Sequence, residues 1–317
     1  LERQTYDNIE VVISDDASTD NTEQEILLLK QNYRFSLVYS RLTTNCGYDR
    51  NYRRCVELAS GDYCFVLGND DAIVGDNSIL NLVQFLKRSN YPSIGFTNYF
   101  EYSEPDNIIE RAKITGVLGT GLDVALRQYN SFSFVGGLIY KKNIFDKYNT
   151  DLHDGSIYAQ LYIGMAIIIG GEMLFSIKEP IVGKDIIIND KIPYSYRDNL
   201  IRQWDQFKIL DGGLPSVINV VVSALVNNNK ASSKNVFMVF KKIYTRTFPY
   251  WIIKYKENNA LPSSVGLFFG LLPNSNVNMK KLKFHHRQYI YLAFYIFGVL
   301  ALLTPVFVFK KFEKYLY

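Results

Sequence analysis

The sequence predicts an α/β fold, a mostly parallel sheet with helices on both faces, followed by an α-helical C-terminal region of different character. Three observations carry this. In the first half, β-branched and aromatic runs alternate with segments of helical period, the rhythm of βαβ units. Within it, Tyr63–Leu67 is a five-residue apolar run that stops at Gly68 and is followed by two adjacent carboxylates, Asp70 and Asp71. Past about Tyr194 the chain turns aromatic and basic. The expected domains are therefore 1–195 and 196–317.

Taken in order, Ile9–Ser14 reads as a strand, and the polar cluster Asp15–Thr22 offers N-caps to a helix over Glu23–Lys30. Phe35–Tyr39 is a second strand. The turn Asn45-Cys46-Gly47 leads into a helix over Tyr48–Ala59, with Tyr52, Val56 and Ala59 on one face. After Ser60-Gly61-Asp62 comes the strand ending at the carboxylates, then a helix over Ser78–Lys87 with Ile79, Leu82, Val83 and Leu86 inward. Ile94–Tyr102 is a further strand, Phe134–Tyr140 a glycine-bearing one, and Tyr158–Ile169 an apolar helix. The chain opens at Leu1 with no Met, so residues are expected to precede it.

Composition bounds the function. Hydrophobic residues make up 48% of 317, ample for a large core, and the formal charge of +4 is too diffuse to argue for nucleic acid. The three cysteines (Cys46, Cys55, Cys64) are odd in number, which fits a reducing compartment rather than a disulfide framework. The three histidines show no zinc spacing.

Ligands of open α/β sheets bind beyond the carboxyl ends of strands, where Asp70 and Asp71 fall. Neighbouring carboxylates repel, and a hard divalent cation is the commonest way to keep both ionised. The alternative is a polar turn whose aspartates cap the next helix.

Four pieces in order carry a resemblance: Gln4-Thr5-Tyr6 with Asn8–Thr22; Asn45-x-Gly47 with Arg50-Asn51; Ala59-Ser60-Gly61-Asp62-Tyr63; and the double Asp. Together they resemble the family 2 inverting glycosyltransferases of the GT-A (Rossmann-like, nucleotide-diphospho-sugar transferase) fold, over residues 1 to 180. Leu67–Ala72 is similar to bacterial surface-polysaccharide transferases, including the abequosyltransferase-like group of O-antigen assembly. The resemblance implies a nucleotide-sugar donor. Asp15 and Asp16 would contact its base and ribose, unless they only initiate the following helix. Arg50, unfavourable in a first helical turn for its charge, would meet the diphosphate; its alternative is a surface arginine. Asn69 and Asp70 would also bind the donor, and Asp70 and Asp71 would hold Mg²⁺ or Mn²⁺. Many relatives carry Asp where this chain has Gly68, which leaves the metal-ligand register open. Asp154 is the expected catalytic base, with Asp151 and His153 as alternatives; the family's Glu-Asp pair is absent there.

Beyond the catalytic half, Asp198–Leu210 reads as an amphipathic helix and Val217–Val226 as an apolar segment. Phe248–Lys256 mixes aromatic and basic residues, as an interfacial element does, or as a helical subdomain packed on the sheet. Tyr289–Phe309 carries no charge and is long enough to cross a bilayer, but lysines flank both ends and Gly298 and Pro305 allow an in-plane or re-entrant path. The expectation is a membrane-associated transferase at the cytoplasmic face of the inner membrane, acting on a lipid-linked (polyprenyl-diphosphate) oligosaccharide. The alternatives are an acceptor that is a protein or soluble glycan, and a non-catalytic partner subunit.

Overall fold

The computed structural model describes residues 1–186 and 214–312. Two compact units divide the chain, Leu1–Asp198 and Asn199–Tyr317. The domain boundary read from composition and the helix expected over Asp198–Leu210 lie outside the described residues.

The first unit begins with β1 (Glu10–Asp15), α1 (Thr22–Lys30), β2 (Ser36–Arg41) and α2 (Tyr48–Leu58). The apolar runs Val11-Val12-Ile13 and Leu37-Val38-Tyr39 pair in parallel, from Glu10↔Ser36 to Asp15↔Arg41. α2 buries Tyr52 and Val56, one turn apart on the face the sequence predicted. Then come β3 (Tyr63–Phe65), β4 (Ala72–Ile73) and α3 (Ser78–Arg88), whose Leu82, Phe85 and Leu86 face inward. Buried Gln4 fixes the start of α3, donating to Gly75 O and accepting from Ile79 N, an otherwise orphaned helix amide.

The remaining elements of this unit are β5 (Ile94–Glu101), β6 (Glu104–Ile109), β7 (Gly116–Gly119), α4 (Leu122–Gln128), β8 (Leu138–Lys141), α5 (Lys142–Tyr148), α6 (Ala159–Ile169) and β9 (Leu174–Lys184). A seven-stranded sheet runs β3-β8-β5-β9-β4, with β6 beside β5 and β7 beside β9. The α/β class stands, but the pairing is more antiparallel than the βαβ rhythm implies. Among the described residues, β1–β2 and β5–β9 are the parallel pairings and the five others are antiparallel. Local periodicity identifies strands and crossovers, whereas β8 inserts between β3 and β5 from far along the chain, a choice made by tertiary packing.

One face of this sheet packs α3: Leu82, Phe85 and Leu86 meet Ile139, Phe175, Ile177 and Ile181. Gly95 makes room for the Phe175 ring, which a Cβ there would approach to 2.3 Å. α6 is buried along nearly its whole length, as its uniformly apolar sequence requires.

The second unit is helical: α7 (Leu214–Asn227), α8 (Ser233–Lys242), α9 (Phe248–Glu257), α10 (Leu261–Gly270), α11 (Phe284–Leu303) and α12 (Val306–Phe312). A π-turn over Ile243–Thr247 joins α8 to α9. Tyr244, Phe248, Phe268 and Phe294 stack as its aromatic core. Where the sequence offered one uncharged run to residue 309, the helix ends at Leu303. Pro305 lacks an amide and disfavours helix in the residue before it, so the chain restarts as α12. Among the described residues, Phe284–Leu303 is the helix long and apolar enough to cross a membrane.

Candidate active site

The residues that the sequence singled out fall in three side-chain groups, each at a strand or helix terminus. At the end of β1, the Asp15 carboxylate accepts from Ser18 N (2.8 Å) and Tyr39 Oη (2.6 Å) and lies 3.6 Å from Arg41. Burial opposes its charge, but the Tyr39 and Ser18 hydrogen bonds and the Arg41 cation outweigh burial and hold its carboxyl below the ordinary value. Asp15 is thus committed to shaping the turn. Asp16 accepts from Cys46 N (2.7 Å) and Gly47 N (2.9 Å), tying the β1 terminus to the loop that enters α2. Between these contacts Ala17 sits at φ 64, a left-handed conformation that costs free energy in a residue with a Cβ and recurs at functional turns. Arg50 lies exposed in the first turn of α2.

The second group follows β3. Gly68 and Asp71 close a tight turn in which Gly68 N donates to Asp71 Oδ2 (3.2 Å), with Asn69 exposed at its tip. A Cβ at position 68 would lie 2.7 Å from Asp71 Oδ2 and 3.1 Å from Asp70 Oδ1, so both carboxylates converge on the space a side chain would fill. This explains the glycine: it is the one residue that leaves the turn open. A Cβ at Gly136 would come within 2.6 Å of the same Asp71 oxygen. Asp71 is buried, and burial, then the charges of Asp70 and Asp185, push its carboxyl up to about 6. Among the described residues no group of three or more His, Cys, Asp or Glu could hold a metal by itself, so the Asp70–Asp71 pair fits a divalent cation that takes its remaining ligands from elsewhere.

The Gly136 wall is held by Arg111, which neither composition nor spacing singled out. The guanidinium of this half-buried residue donates to the carbonyls of Thr97 (2.5 Å), Ser131 (2.9 Å), Phe134 (2.8 Å) and Gly136. Burial draws its pKa down to about 10, and rings of Tyr99 and Phe134 cover it.

The third group joins α2 to the segment before α6. Arg53 grips Asp154 with both arms of its fork, Nε to Oδ1 at 2.9 Å and Nη2 to Oδ2 at 2.7 Å, and also reaches Glu57 and Asn149. Asp49, 2% exposed, accepts from Ile157 N (2.7 Å) and Ala159 N (3.0 Å), capping α6 from another helix. Burial raises the Asp49 carboxyl despite these bonds. Ile157 is held at φ 61, a true outlier for a β-branched residue. His153 packs on Tyr162, its pKa lowered by burial, and Asp151 is exposed. The sequence reading named Asp154 but missed Asp49 and the Arg53 fork, since only the fold brings residues 49 and 53 against 154–159.

A mixed sheet with polar turns at its strand ends and a paired carboxylate after β3 is the arrangement of the GT-A glycosyltransferase fold. Residues 1–149 match the family model described as Glycosyl transferase family 2. Among curated relatives, the abequosyltransferase RfbV of Salmonella typhimurium is 30% identical over 198 residues, 55% of this chain and 56% of RfbV. The glycosyltransferase GlyG of Streptococcus pneumoniae is 30% identical over 105 residues, 33% of this chain and 34% of GlyG. The matches thus span about half or less of these relatives' own lengths. The crystal structure of S. aureus TarS 1–349 in complex with UDP superposes with TM-score 0.57 at 13% identity, covering 99% of this chain and 85% of that one.

Proposed function

We propose that this glycosyltransferase moves a sugar, with inversion, from a nucleoside-diphosphate donor to a lipid-linked oligosaccharide in surface-polysaccharide assembly. The observation that carries the reading is the convergence of Asp70 and Asp71 on the space left by Gly68. Mg²⁺ or Mn²⁺ held there by these two residues would neutralise charge developing on the departing diphosphate. Such ions commonly take one or two carboxylates and complete their shell with phosphate oxygens and water. Asp16, with Asn69 of the turn after β3, would contact base and ribose, and Arg50 would pair with the diphosphate. Asp154 takes the proton from the attacking acceptor hydroxyl while Arg53 fixes its orientation. Resemblance to the abequosyltransferase supports an O-antigen-type pathway. The free thiols and the cytosolic supply of nucleotide sugars support the cytoplasmic face of the inner membrane, and the aromatic, basic second unit supports a lipid-linked acceptor.

The test is a screen of nucleotide-sugar donors with Mn²⁺ or Mg²⁺ and lipid acceptor, scored by released nucleoside diphosphate. Release is expected with one donor class, lost in Asp70→Ala and reduced on the order of 10² to 10⁴ in Asp154→Asn. One observation favours a second reading, a non-catalytic partner: both Asp154 oxygens already face Arg53. Nucleotide binding without release for any donor would select it.

A further inference from the structure

α11 is covered on one side only. Ile290, Ala293, Phe294, Gly298 and Ala301 are buried, and a Cβ at Gly298 would strike Phe268 at 2.7 Å and Phe248 at 2.9 Å, so this arc is sealed against its neighbours. The opposite arc carries Leu292 (59% exposed), Tyr295, Ile296, Val299, Leu300 and Leu303 (74% exposed). Their spacing of three and four residues makes a continuous stripe with no charged residue in it. Monomeric proteins rarely leave such a surface to water.

Charge says what covers it. From Asn258 to Phe312 the sequence contains no Asp or Glu, while Lys280, Lys281, Lys283 and Arg287 stand exposed at one end of the helix and Lys311 at the other. An apolar stripe with cations at both ends and no anions matches an anionic lipid surface.

The packing also decides the orientation. A crossing helix would carry its sealed neighbours into hydrocarbon, including α9 with its Lys254–Glu257 pair. Lys256 of α9 donates to the carbonyls of Ala301 (3.0 Å), Leu302 (2.6 Å) and Thr304 (2.6 Å), so the C-terminus of α11 ends on a cation rather than in lipid.

We infer that α11 lies flat in the headgroup region of an anionic bilayer, its outward stripe dipping into the acyl chains, and does not cross. This rests on the membrane-facing part of the reading above and specifies the surface that serves it.

The test uses the full chain with vesicles of phosphatidylcholine alone or with phosphatidylglycerol. Co-sedimentation is expected at least tenfold stronger with phosphatidylglycerol, weakened by salt, and reduced at least tenfold by Ile296→Glu and Val299→Glu. With Trp204 and Trp251 replaced by Phe, single tryptophans at Tyr295, Val299 and Leu303 are then read for depth by brominated lipids. Equal, shallow depth is expected; a progression over about 12 Å along these eight residues would mean a crossing helix and overturn the inference. So would absence of vesicle binding, or a dimer in sedimentation that Ile296→Glu dissociates. Nucleoside-diphosphate release by the same variants without vesicles should match the parent. Its loss in the parent would count against the transferase reading alone.

Discussion

At the scale of single residues, the site depends on charges held where water cannot screen them. Asp71 has its carboxyl raised to about 6, burial being the largest cause. Because the folded value lies above the ordinary 3.8, the native state binds the extra proton between those two values. Its contribution to stability is therefore intact below the ordinary carboxylate range and is lost as pH rises to about 6. Asp71→Asn should raise thermal stability at pH 7.5, by at most about 3 kcal/mol, and change little near pH 4. Mn²⁺ should stabilise the parent at pH 7.5 and not this variant, and both effects are read from unfolding curves across pH. Arg111 makes a different demand, since its planar fork serves four carbonyls at once. Arg111→Lys keeps the charge but cannot reproduce that geometry. It should cost about 3 kcal/mol or more by leaving buried carbonyls unpaired, and denaturant midpoints would reveal a smaller loss if the fork were dispensable.

At the scale of elements, helix α2 ties the segment before α6 in place by reaching it at two points. Its first turn supplies Asp49 to cap α6, and its second supplies Arg53 to Asp154. Removing the cap in Asp49→Ala should destabilise by about 2 kcal/mol, since two helix-start amides lose their partner in a buried place. Ile157→Gly should do the reverse, stabilising by about 1 kcal/mol, because the left-handed φ at 157 then costs nothing. If strain here orders Asp154, that same variant will have a lower kcat despite its higher stability. Equal kcat in parent and variant would show that the strained residue only closes the loop.

At the scale of the whole molecule, two compact units share one chain. Donor diphosphate with Mn²⁺ binds only the first in the proposed reading, so calorimetry should show one transition moved upward. At a hundredfold excess over Kd the gain is about 2.7 kcal/mol, and the second unit's transition should stay where it is. A shift of both would mean that the units unfold as one.

How much of this was legible varies with the range of the interaction. The strand–turn–carboxylate segment after Tyr63 and the glycine before α2 are local patterns that stand where their residues predicted, the strand two residues shorter; α3 buries the expected Leu82 and Leu86, with Phe85 inward in place of Ile79 and Val83. The antiparallel insertion of β8, the Arg111 clasp on Gly136 and the bond from Asp49 to Ile157 join residues 25 to 108 positions apart. No periodicity records such partners. Asp15 shows the same limit at shorter range: its type suggested a ligand, while Tyr39 and Arg41 make it a structural anchor.

By itself the sequence determined the class of the fold, the pair of acids at the end of a strand and the uncharged run near the C-terminus, because all three are written in neighbouring residues. Only the tertiary structure decided that Gly68 and Gly136 cradle Asp71, that Arg53 holds Asp154, and that α11 buries one face and bares the other. Those outcomes follow from which distant surfaces pack together, and packing is a property of the assembled chain.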